Sequence, residues 1–409
     1  MSPPIAYRFV LLLLSLSALN LPAQDVAITN ARIIVGSGPV IPSGTIVVRD
    51  GKIASVAAGA ANTQGLKVID AKGMSAMPGF IDAHKHINTG PNEKEQMQSL
   101  LEAGYTTVLS AGGPGDGNLT LRDHIESGII NGPRIIPSER VNLRGTPEQA
   151  RAEVRAMAAK GIKQTGEISL TPEPGPTPQE IEVLKAVVDE AAKVGVQVNV
   201  HAVSTPAMVA AIDAGVRRLV HLPNKDWTGR EAAAKVASTN SIVLGLIAFG
   251  APIIDRESPA PAQVTFPRDN SPRFRDGKPW PEAIAGANRD ANGKATGTEA
   301  GYTIVNARTI WDASGGRALG YCTDQNYADV VVLEHELKSY SVMFSMQDIF
   351  RIMGPNTAEY LHMSDQIGAI EPGKLADIIL LDGNPLEGIQ YMLRTKVVLK
   401  AGRVVVDKR

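Results

Sequence analysis

The centre of the chain alternates short apolar segments with longer amphipathic segments. The apolar runs Thr106–Leu109, Ile162–Leu170 and Val196–Val200 each follow a stretch with helical spacing, and Pro178–Lys193 is one such stretch. Strands that alternate with helices of about 10 to 15 residues are typical of parallel βαβ units. Roughly eight such units fit between residues 78 and 365, which suits a (β/α)8 barrel in length. The pattern therefore predicts an α/β fold with a TIM barrel at its centre.

Both ends of the chain are instead rich in short strands and tight turns. Asp50-Gly51 separates two apolar runs near the start, a frequent hairpin pattern, and Asp382-Gly383 does the same near the end. Two strand-rich ends around a longer centre predict one small β-sandwich built from both termini. The predicted domains are residues 24–77 and 366–409 for the sandwich and residues 78–365 for the barrel.

Residues 1–23 are predicted to be a secretory signal peptide rather than part of the fold. Arg8 precedes the apolar run Phe9–Leu14, and Ala23 supplies a small residue for cleavage. The run is too short to span a hydrocarbon core of about 30 Å. A buried helix or an uncleaved anchor is the alternative. We expect a protein that is exported to the periplasm or secreted, without a stable membrane anchor.

The segment 250–301 interrupts the alternation of strands and helices. It is rich in Pro, Asn, Gly and Arg, as in Pro272-Arg273-Phe274-Arg275. Loops of this length are usually functional lids or disordered segments. The sequence therefore predicts a long loop here.

Composition excludes several classes of protein. The 41 basic and 42 acidic side chains give a net charge of −1, which offers no electrostatic footprint for nucleic acid. One cysteine excludes an internal disulfide framework and a cysteine-rich metal site. A hydrophobic content of 44% is ordinary for a globular protein. An enzyme with a small-molecule substrate fits these values best.

Four of the seven histidines lie at the ends of predicted strands. His84 and His86 share one face of a strand because they are two residues apart, and His201 and His221 each end a later strand. In a barrel these positions lie at the carboxyl-terminal rim, where active sites of this fold are found. A single such histidine is more often a hydrogen-bonded rim residue, but four together predict a transition-metal site.

Two carboxylates follow the same strand order. Glu167 lies near the end of the strand that precedes the His201 strand, and Asp324 follows a short apolar run late in the barrel. Either residue alone could be a solvated rim residue. Their positions relative to the histidines make them candidate ligands.

Two motifs carry a resemblance to a known family. The segment Pro78–His86, with the sequence PGFIDAHKH, and the segment Gly368–Asp377, with the sequence GAIEPGKLAD, resemble those of the metal-dependent amidohydrolase superfamily. Within this superfamily the chain resembles enamidase and imidazolonepropionase-like members. The resemblance extends from Val26 to Val406 and implies a TIM barrel with a small sandwich from both termini.

The resemblance also implies a role for each candidate residue. His84 and His86 would bind one metal ion and His201 and His221 a second, while Asp324 would bind the first and shuttle protons. The cofactor implied is one or two divalent ions, Zn2+ first, with Fe2+ or Mn2+ as alternatives. The bridging ligand would be Glu167 or a carbamylated Lys163. Glu167 is favoured, because it lies nearer the carboxyl end of its strand and Gly166-Glu167-Ile168 resembles the glutamate-bridged members.

The predicted reaction is hydrolysis of the carbon–nitrogen bond of an amide by a metal-bound hydroxide. The substrate would be a cyclic amide, an N-acyl compound or a peptide. An exported dipeptidase or carboxypeptidase, a deaminase and a lactonase are alternatives within the superfamily. A non-catalytic metal- or ligand-binding protein is the alternative from a different class. Relatives are often homo-oligomers, so the resemblance makes a homo-oligomer one assembly to consider.

Overall fold

The computed structural model describes residues 25–36, 39–111, 113–248, 253–254, 264–265, 296–324 and 330–409. The predicted signal peptide, residues 1–23, and most of the predicted loop 250–301 lie outside the described residues. Within the described part of the chain, no helix is both long enough and apolar enough to cross a membrane.

Eight strands from the two ends of the chain form one hydrogen-bonded sheet. They are β1 (Val26–Ile34), β2 (Val40–Arg49), β3 (Lys52–Ala58), β4 (Lys67–Asp70), β5 (Ser75–Pro78), β16 (Ile378–Leu381), β17 (Thr395–Lys400) and β18 (Arg403–Asp407). The order is β18-β17-β16-β5-β1-β2-β3, and β4 pairs with β1. The two ends of the chain meet where β16 runs antiparallel to β5, with Ile378 opposite Pro78.

Alternation along β16 gives this sheet two different cores. Ile378 and Leu380 pack into a cluster built from the two terminal segments of the chain. Ile379 and Leu381 point to the opposite face and join the larger core that contains the barrel helices. Successive side chains of a strand face opposite sides, so four consecutive apolar residues serve both cores.

The centre of the chain forms a barrel of eight parallel strands, as the alternating pattern predicted. The strands are β6 (Phe80–Lys85), β7 (Tyr105–Ser110), β8 (Arg134–Glu139), β9 (Gln164–Ser169), β10 (Gln197–His201), β11 (Arg218–Val220), β12 (Ile242–Gly245) and β15 (Leu319–Tyr321). They pair in chain order from β6 to β15. The two outer strands meet where the amide of Asp324 donates to the carbonyl of His84 at 2.9 Å.

Helices separate most of these strands, and two short strands, β13 (Ile253–Ile254) and β14 (Val264–Thr265), pair with each other. The described helices are α1 (Glu93–Ala103), α2 (Gly115–Glu126), α3 (Pro147–Ala159), α4 (Pro178–Val194), α5 (Thr205–Asp213), α6 (Arg230–Ser238), α7 (Thr296–Ala313), α8 (Val330–Tyr340), α9 (Met346–Arg351) and α10 (Thr357–Tyr360), with a π-helical turn at Ile352–Asn356. The sequence marks α4 clearly: Thr177 and Glu180 form a capping box at its start, and Gly195 ends it with a φ of +69°.

The terminal sheet is fastened to the barrel through Asp377 in the second family motif. Oδ2 of Asp377 accepts a 2.6 Å hydrogen bond from Nη1 of Arg134 on β8, and its carbonyl accepts from the amide of Gly79 at 3.0 Å. Oδ1 accepts from the amide of Ala401 at 2.7 Å. The carboxylate thus ties the start of a barrel strand to a turn of the sheet.

Candidate metal centre

The structure brings all six predicted site residues together at the carboxyl ends of the barrel strands. They are His84 on β6, His86 just after it, Glu167 on β9, His201 at the end of β10, His221 just after β11 and Asp324 after β15. Parallel strands present their carboxyl ends on one rim of a barrel. Strand-end placement in the sequence therefore translates into spatial proximity.

Asp324 forms one half of the cluster. Its Oδ1 lies 2.8 Å from Nε2 of His86 and 3.1 Å from Nε2 of His84. Its Oδ2 lies 3.8 Å from Nε2 of His221. One carboxylate thus faces imidazoles from two strands, which places it where it can share a cation with them.

Glu167 forms the other half. Its Oε2 lies 2.9 Å from Nδ1 of His201, 3.5 Å from Nε2 of His84 and 3.7 Å from Nε2 of His221. Oε1 lies 3.7 Å from Nε2 of His86. Glu167 therefore contacts or approaches all four histidines, as a residue that bridges two ligand groups would.

Two of the site residues have unusual backbone conformations. His221 has a φ of +68° and Asp324 a φ of +53°, in the left-handed region that residues with a Cβ seldom adopt. Such conformations persist where the surrounding structure holds them, and they cluster at functional sites. His221 directly follows β11, and Asp324 is the third residue after β15, so the turn beyond each strand end aims the side chain inward to the cluster.

The electrostatics of the cluster keep both carboxylates ionised. Burial raises the pKa of Glu167, but hydrogen bonds with His201 and His221 outweigh burial and leave its pKa well below the usual range. Burial likewise raises the pKa of Asp324, whereas the charge of His221 and the close approach of His84 and His86 lower it further than burial raises it. Burial lowers the pKa of His84, which favours the neutral ring that binds metal ions.

The donor set fits a divalent metal ion. In each of two triples, His84–His86–Asp324 and His84–Glu167–His221, one ligand atom per residue lies within 4.8 Å of the others. Nε2 of His84 is fully buried and has no hydrogen-bond partner of good geometry, although it faces both carboxylates. A buried polar atom without a partner is costly unless something binds it. Imidazole nitrogens with carboxylate oxygens suit Zn2+ and similar ions.

His201 belongs to neither triple. It faces Oε2 of Glu167 at 2.9 Å, and its side chain is 28% exposed, against 1% for His84. The structure thus places His201 in the cluster on the more open side of Glu167. Its predicted role as a ligand of a second ion stays a prediction.

Lys163, the alternative bridging residue, is not brought to the site. It precedes the first residue of β9, is exposed, and lines a different cleft of about 660 Å³ with Gln197 and Arg217. Between β9 and β10 the register runs from Gln164 opposite Gln197 to Glu167 opposite Asn199. An advance of three residues along β9 thus corresponds to an advance of two along β10, so a bulge interrupts the alternation of side chains in β9. The parity that put Lys163 and Glu167 on the same face therefore does not hold.

Arg140 is a functional residue that the sequence analysis missed. It directly follows β8, and its Nη2 donates to Oε1 of Glu167 at 2.7 Å. The strand-end rule that selected the histidines also applies to this position. The residue type gives no such signal, because a guanidinium donates to a ligand and does not bind a metal ion.

The cluster of histidines and carboxylates at the carboxyl rim forms a candidate metal centre in a TIM barrel. Residues 75–405 match the model of the amidohydrolase family. The chain belongs to the amidohydrolase family, as the two sequence motifs predicted.

Individual relatives are similar to this chain either at low sequence identity or over a short segment. An adenine deaminase from Desulforamulus reducens is 24% identical over 365 residues, which are 88% of this chain and 54% of that protein. Enamidase from Eubacterium barkeri is 39% identical over 88 residues, which are 19% of this chain and 22% of the enzyme. The chain thus spans about half the length of the adenine deaminase.

Solved structures share the fold. A putative prolidase from Bifidobacterium longum superposes with a TM-score of 0.75 at 23% identity, covering 95% of this chain and 97% of that one. At this identity the likeness supports the barrel and the terminal sheet, and it leaves the substrate open.

Proposed function

We propose that this protein is a metal-dependent hydrolase that cleaves a non-peptide amide bond of a small molecule. The observation that carries the proposal is the position of Asp324. Its carboxylate follows the last barrel strand and lies 2.8 Å from His86 and 3.1 Å from His84, at the end of the first barrel strand. A carboxylate at this place can bind a cation and can also accept and return a proton. Membership in the amidohydrolase family supports carbon–nitrogen bonds as the target.

The proposed cofactor is a divalent cation, Zn2+ first, with Fe2+ or Mn2+ as alternatives. The residues that would hold it are His84, His86, Glu167, His221 and Asp324, with His201 beside Glu167 for a second ion. When bound, such an ion polarises a substrate carbonyl and lowers the pKa of a water molecule from about 15.7 toward roughly 7.

Asp324 is proposed as the proton shuttle. Its pKa lies well below the usual range, because the charge of His221 and the close approach of His84 and His86 outweigh burial. It is therefore ionised at neutral pH and can accept a proton from the attacking water. The same carboxyl group would then return the proton to the leaving nitrogen, which is general base followed by general acid catalysis.

A cleft of about 1060 Å³ beside Glu167 offers room for a small-molecule substrate. It is lined by residues at and beyond the carboxyl ends of β8 and β9, among them Arg140, Asn142 and Ser169. Small-molecule sites commonly measure about 300–1000 Å³. A substrate held here would extend from the metal centre across the ends of two barrel strands.

Three other reactions remain candidates for the same site. Deamination is favoured by the similarity to an adenine deaminase over 88% of this chain, and dipeptide hydrolysis by the fold shared with a putative prolidase. Lactone hydrolysis uses the same attack on a carbonyl carbon. A metal- or ligand-binding protein without turnover is the alternative from another class.

A substrate panel on zinc-loaded protein tests the proposal. The panel contains cyclic amides, N-acyl amino acids, dipeptides, lactones and aminopurines, with carboxylic acid and ammonia release assayed separately. Turnover of an amide that disappears in the Asp324→Asn variant supports the proposal. Ammonia from an aminopurine alone would establish a deaminase instead, and bound zinc without turnover of any class would favour the binding protein.

The export of the protein is likewise a proposal, supported by the sequence of residues 1–23 alone. Mass spectrometry of the amino terminus of protein recovered outside the cytoplasm tests it. We expect the mature chain to begin at or near Gln24. A full-length amino terminus in the exported fraction would contradict cleavage. Sedimentation of the same material would test for a homo-oligomer.

A further inference from the structure

A buried polar cluster joins the first and last strands of the barrel directly beside the metal centre. Asp82 on β6 is 0% exposed and Lys85 on the same strand is 1% exposed. Nζ of Lys85 lies 3.8 Å from Oδ2 of Asp82 and donates to Oγ1 of Thr323 at 2.8 Å. The Thr323 hydroxyl in turn donates to Oδ2 of Asp82 at 2.5 Å.

The second oxygen of Asp82 accepts from two backbone amides. Oδ1 accepts from the amide of His84 and from the amide of Thr323, each at 3.2 Å. One amide belongs to a candidate ligand and the other to the residue before Asp324. The amide of Asp324 itself donates to the carbonyl of His84 at 2.9 Å. A single carboxylate therefore links the two backbone segments that carry facing ligands.

A bulge explains why β6 needs an acceptor at this point. Asp82 pairs with Val108 and Lys85 with Ser110, so three steps on β6 face two on β7. A bulge of this kind disrupts the regular ladder of hydrogen bonds and turns the side chains near it. The Asp82 side chain accepts the His84 amide at this irregularity, where the strand begins to present its imidazoles.

A buried carboxylate is costly unless charge and hydrogen bonds compensate for its lost hydration. Burial raises the pKa of Asp82, while the Lys85 charge and the hydrogen bonds from Thr323 and His84 act in the opposite direction. Lys85 thus provides the compensating charge, and the Thr323 hydroxyl connects the two groups.

We infer that Asp82 is a positioning residue that sets the backbone of His84 and Asp324 for metal binding, with Lys85 as its counter-ion. The role rests on the proposed metal centre. It goes beyond that proposal, because neither Asp82 nor Lys85 is a member of the two triples described above. The competing explanation is that the pair only balances charge within the barrel.

Three variants separate positioning from charge balance. Asp82→Asn keeps the shape of the side chain but removes its charge and one acceptor. Lys85→Met removes the ammonium with little change in volume. The double variant, Asp82→Asn with Lys85→Met, has no buried charge left unpaired. Asp377→Asn is the matched control, because Asp377 is also a buried partner of a cation and lies at the junction with the terminal sheet.

Two quantities are measured on each variant: the dissociation constant for Zn2+ without substrate, and the melting temperature of the metal-free protein. We expect both single variants to melt at lower temperature, because each removes one member of the buried Asp82–Lys85 pair and keeps the other. The double variant should regain much of the melting temperature, yet bind Zn2+ roughly 10- to 100-fold more weakly than the wild type, as loss of outer-shell partners typically does. Asp377→Asn should lower the melting temperature and leave Zn2+ binding unchanged.

Recovery of both quantities in the double variant would show charge balance alone and overturn the inference, as would wild-type Zn2+ affinity in Asp82→Asn. If Asp82→Asn does not fold, Thr323→Val removes the hydroxyl that joins Lys85 to Asp82 and should also weaken Zn2+ binding. The binding assay needs no substrate, so weakened binding in a protein without turnover would refute the proposed reaction and leave this inference standing. A wild type that binds no Zn2+ would overturn both.

Discussion

Arg140 and Glu167 are joined by a hydrogen bond of 2.7 Å from Nη2 of the guanidinium to Oε1 of the carboxylate. The other oxygen of Glu167 faces Nδ1 of His201 at 2.9 Å. The Arg140 side chain is 53% exposed, whereas that of Glu167 is 11% exposed. A half-exposed guanidinium after β8 thus donates to a nearly buried carboxylate on β9. The orientation of Glu167 depends on both Arg140 and His201.

Replacement of Arg140 by glutamine should weaken metal binding. The shorter amide cannot supply the charge-assisted hydrogen bond to Glu167, so the carboxylate loses one of the contacts that orient it. We expect the dissociation constant for Zn2+ to rise roughly tenfold, measured by competition with a chromophoric chelator. Arg144→Gln is the control, because Arg144 is exposed and lines the same cleft. Equal affinities for both variants would rule out an orienting role for Arg140.

Asp324→Asn should retain much of the bound metal and lose hydrolysis. The amide oxygen can still face His84 and His86, but it cannot accept a proton at neutral pH. General acid–base groups typically contribute about 10²- to 10⁴-fold to the rate. Metal content per chain and kcat on the best substrate of the panel measure the two effects separately. Asp123→Asn, at an exposed carboxylate, is the control, and near-normal kcat in Asp324→Asn would refute the shuttle.

Lys163→Met and Glu167→Gln should have opposite outcomes. Lys163 lines a separate cleft, so its replacement should leave metal content and melting temperature close to those of the wild type. Glu167 approaches four imidazoles, so its neutral variant should lose most of the bound metal. Metal analysis of dialysed protein tests both. Loss of metal in Lys163→Met would instead favour a carbamylated lysine as the bridging ligand.

Lys400 should make stability depend on pH in the alkaline range. Burial, with a contribution from the charge of Arg134, lowers its pKa to about 8 in the folded protein, against 10.5 for the ordinary side chain. Between these values the unfolded chain binds more protons than the folded chain, so this group makes stability rise with pH there. Below pH 8 both states are protonated, and the cost of burying the charge is present in full.

The comparison of wild type with Lys400→Met isolates this effect. The free energy of unfolding of the wild type minus that of Lys400→Met should rise by about 1 kcal/mol per pH unit between pH 8 and 10. Thermal melting at several pH values measures the difference. Lys396→Met on the same strand provides the matched control. A difference between wild type and Lys400→Met that stays constant from pH 7 to 10 would contradict the lowered pKa.

Much of the site was predictable because its residues obey local rules. His84 and His86 are two residues apart at the end of an apolar strand, which suffices to place both imidazoles near one carboxylate. His201 and His221 follow later strands in a parallel alternation, so a barrel brings them to the same rim. The capping box at Thr177 and the glycine at Gly195 likewise mark α4 from sequence alone.

Other parts of the site depend on pairing between distant segments. Asp82 and Thr323 are 241 positions apart, and no local pattern indicates that the carboxylate of one accepts from the amide and hydroxyl of the other. Arg140 lies 27 positions from Glu167, and its contact follows from the adjacency of β8 and β9. The first contact requires closure of the barrel, and the second requires only the pairing of neighbouring strands.

The sequence by itself determined the alternation of strands and helices, the strand-rich ends and the strand-end positions of the ligands, because hydrophobic periodicity and chain order are local properties. The tertiary structure places Glu167 among the four histidines and Lys163 in a separate cleft, although the alternation of a regular strand puts both residues on one face. A bulge in β9 breaks this alternation, because Gln164 and Glu167, three residues apart, pair with Gln197 and Asn199, two residues apart. Register between strands depends on the partner strand as well, so one extra residue can redirect a side chain without any mark in the local sequence.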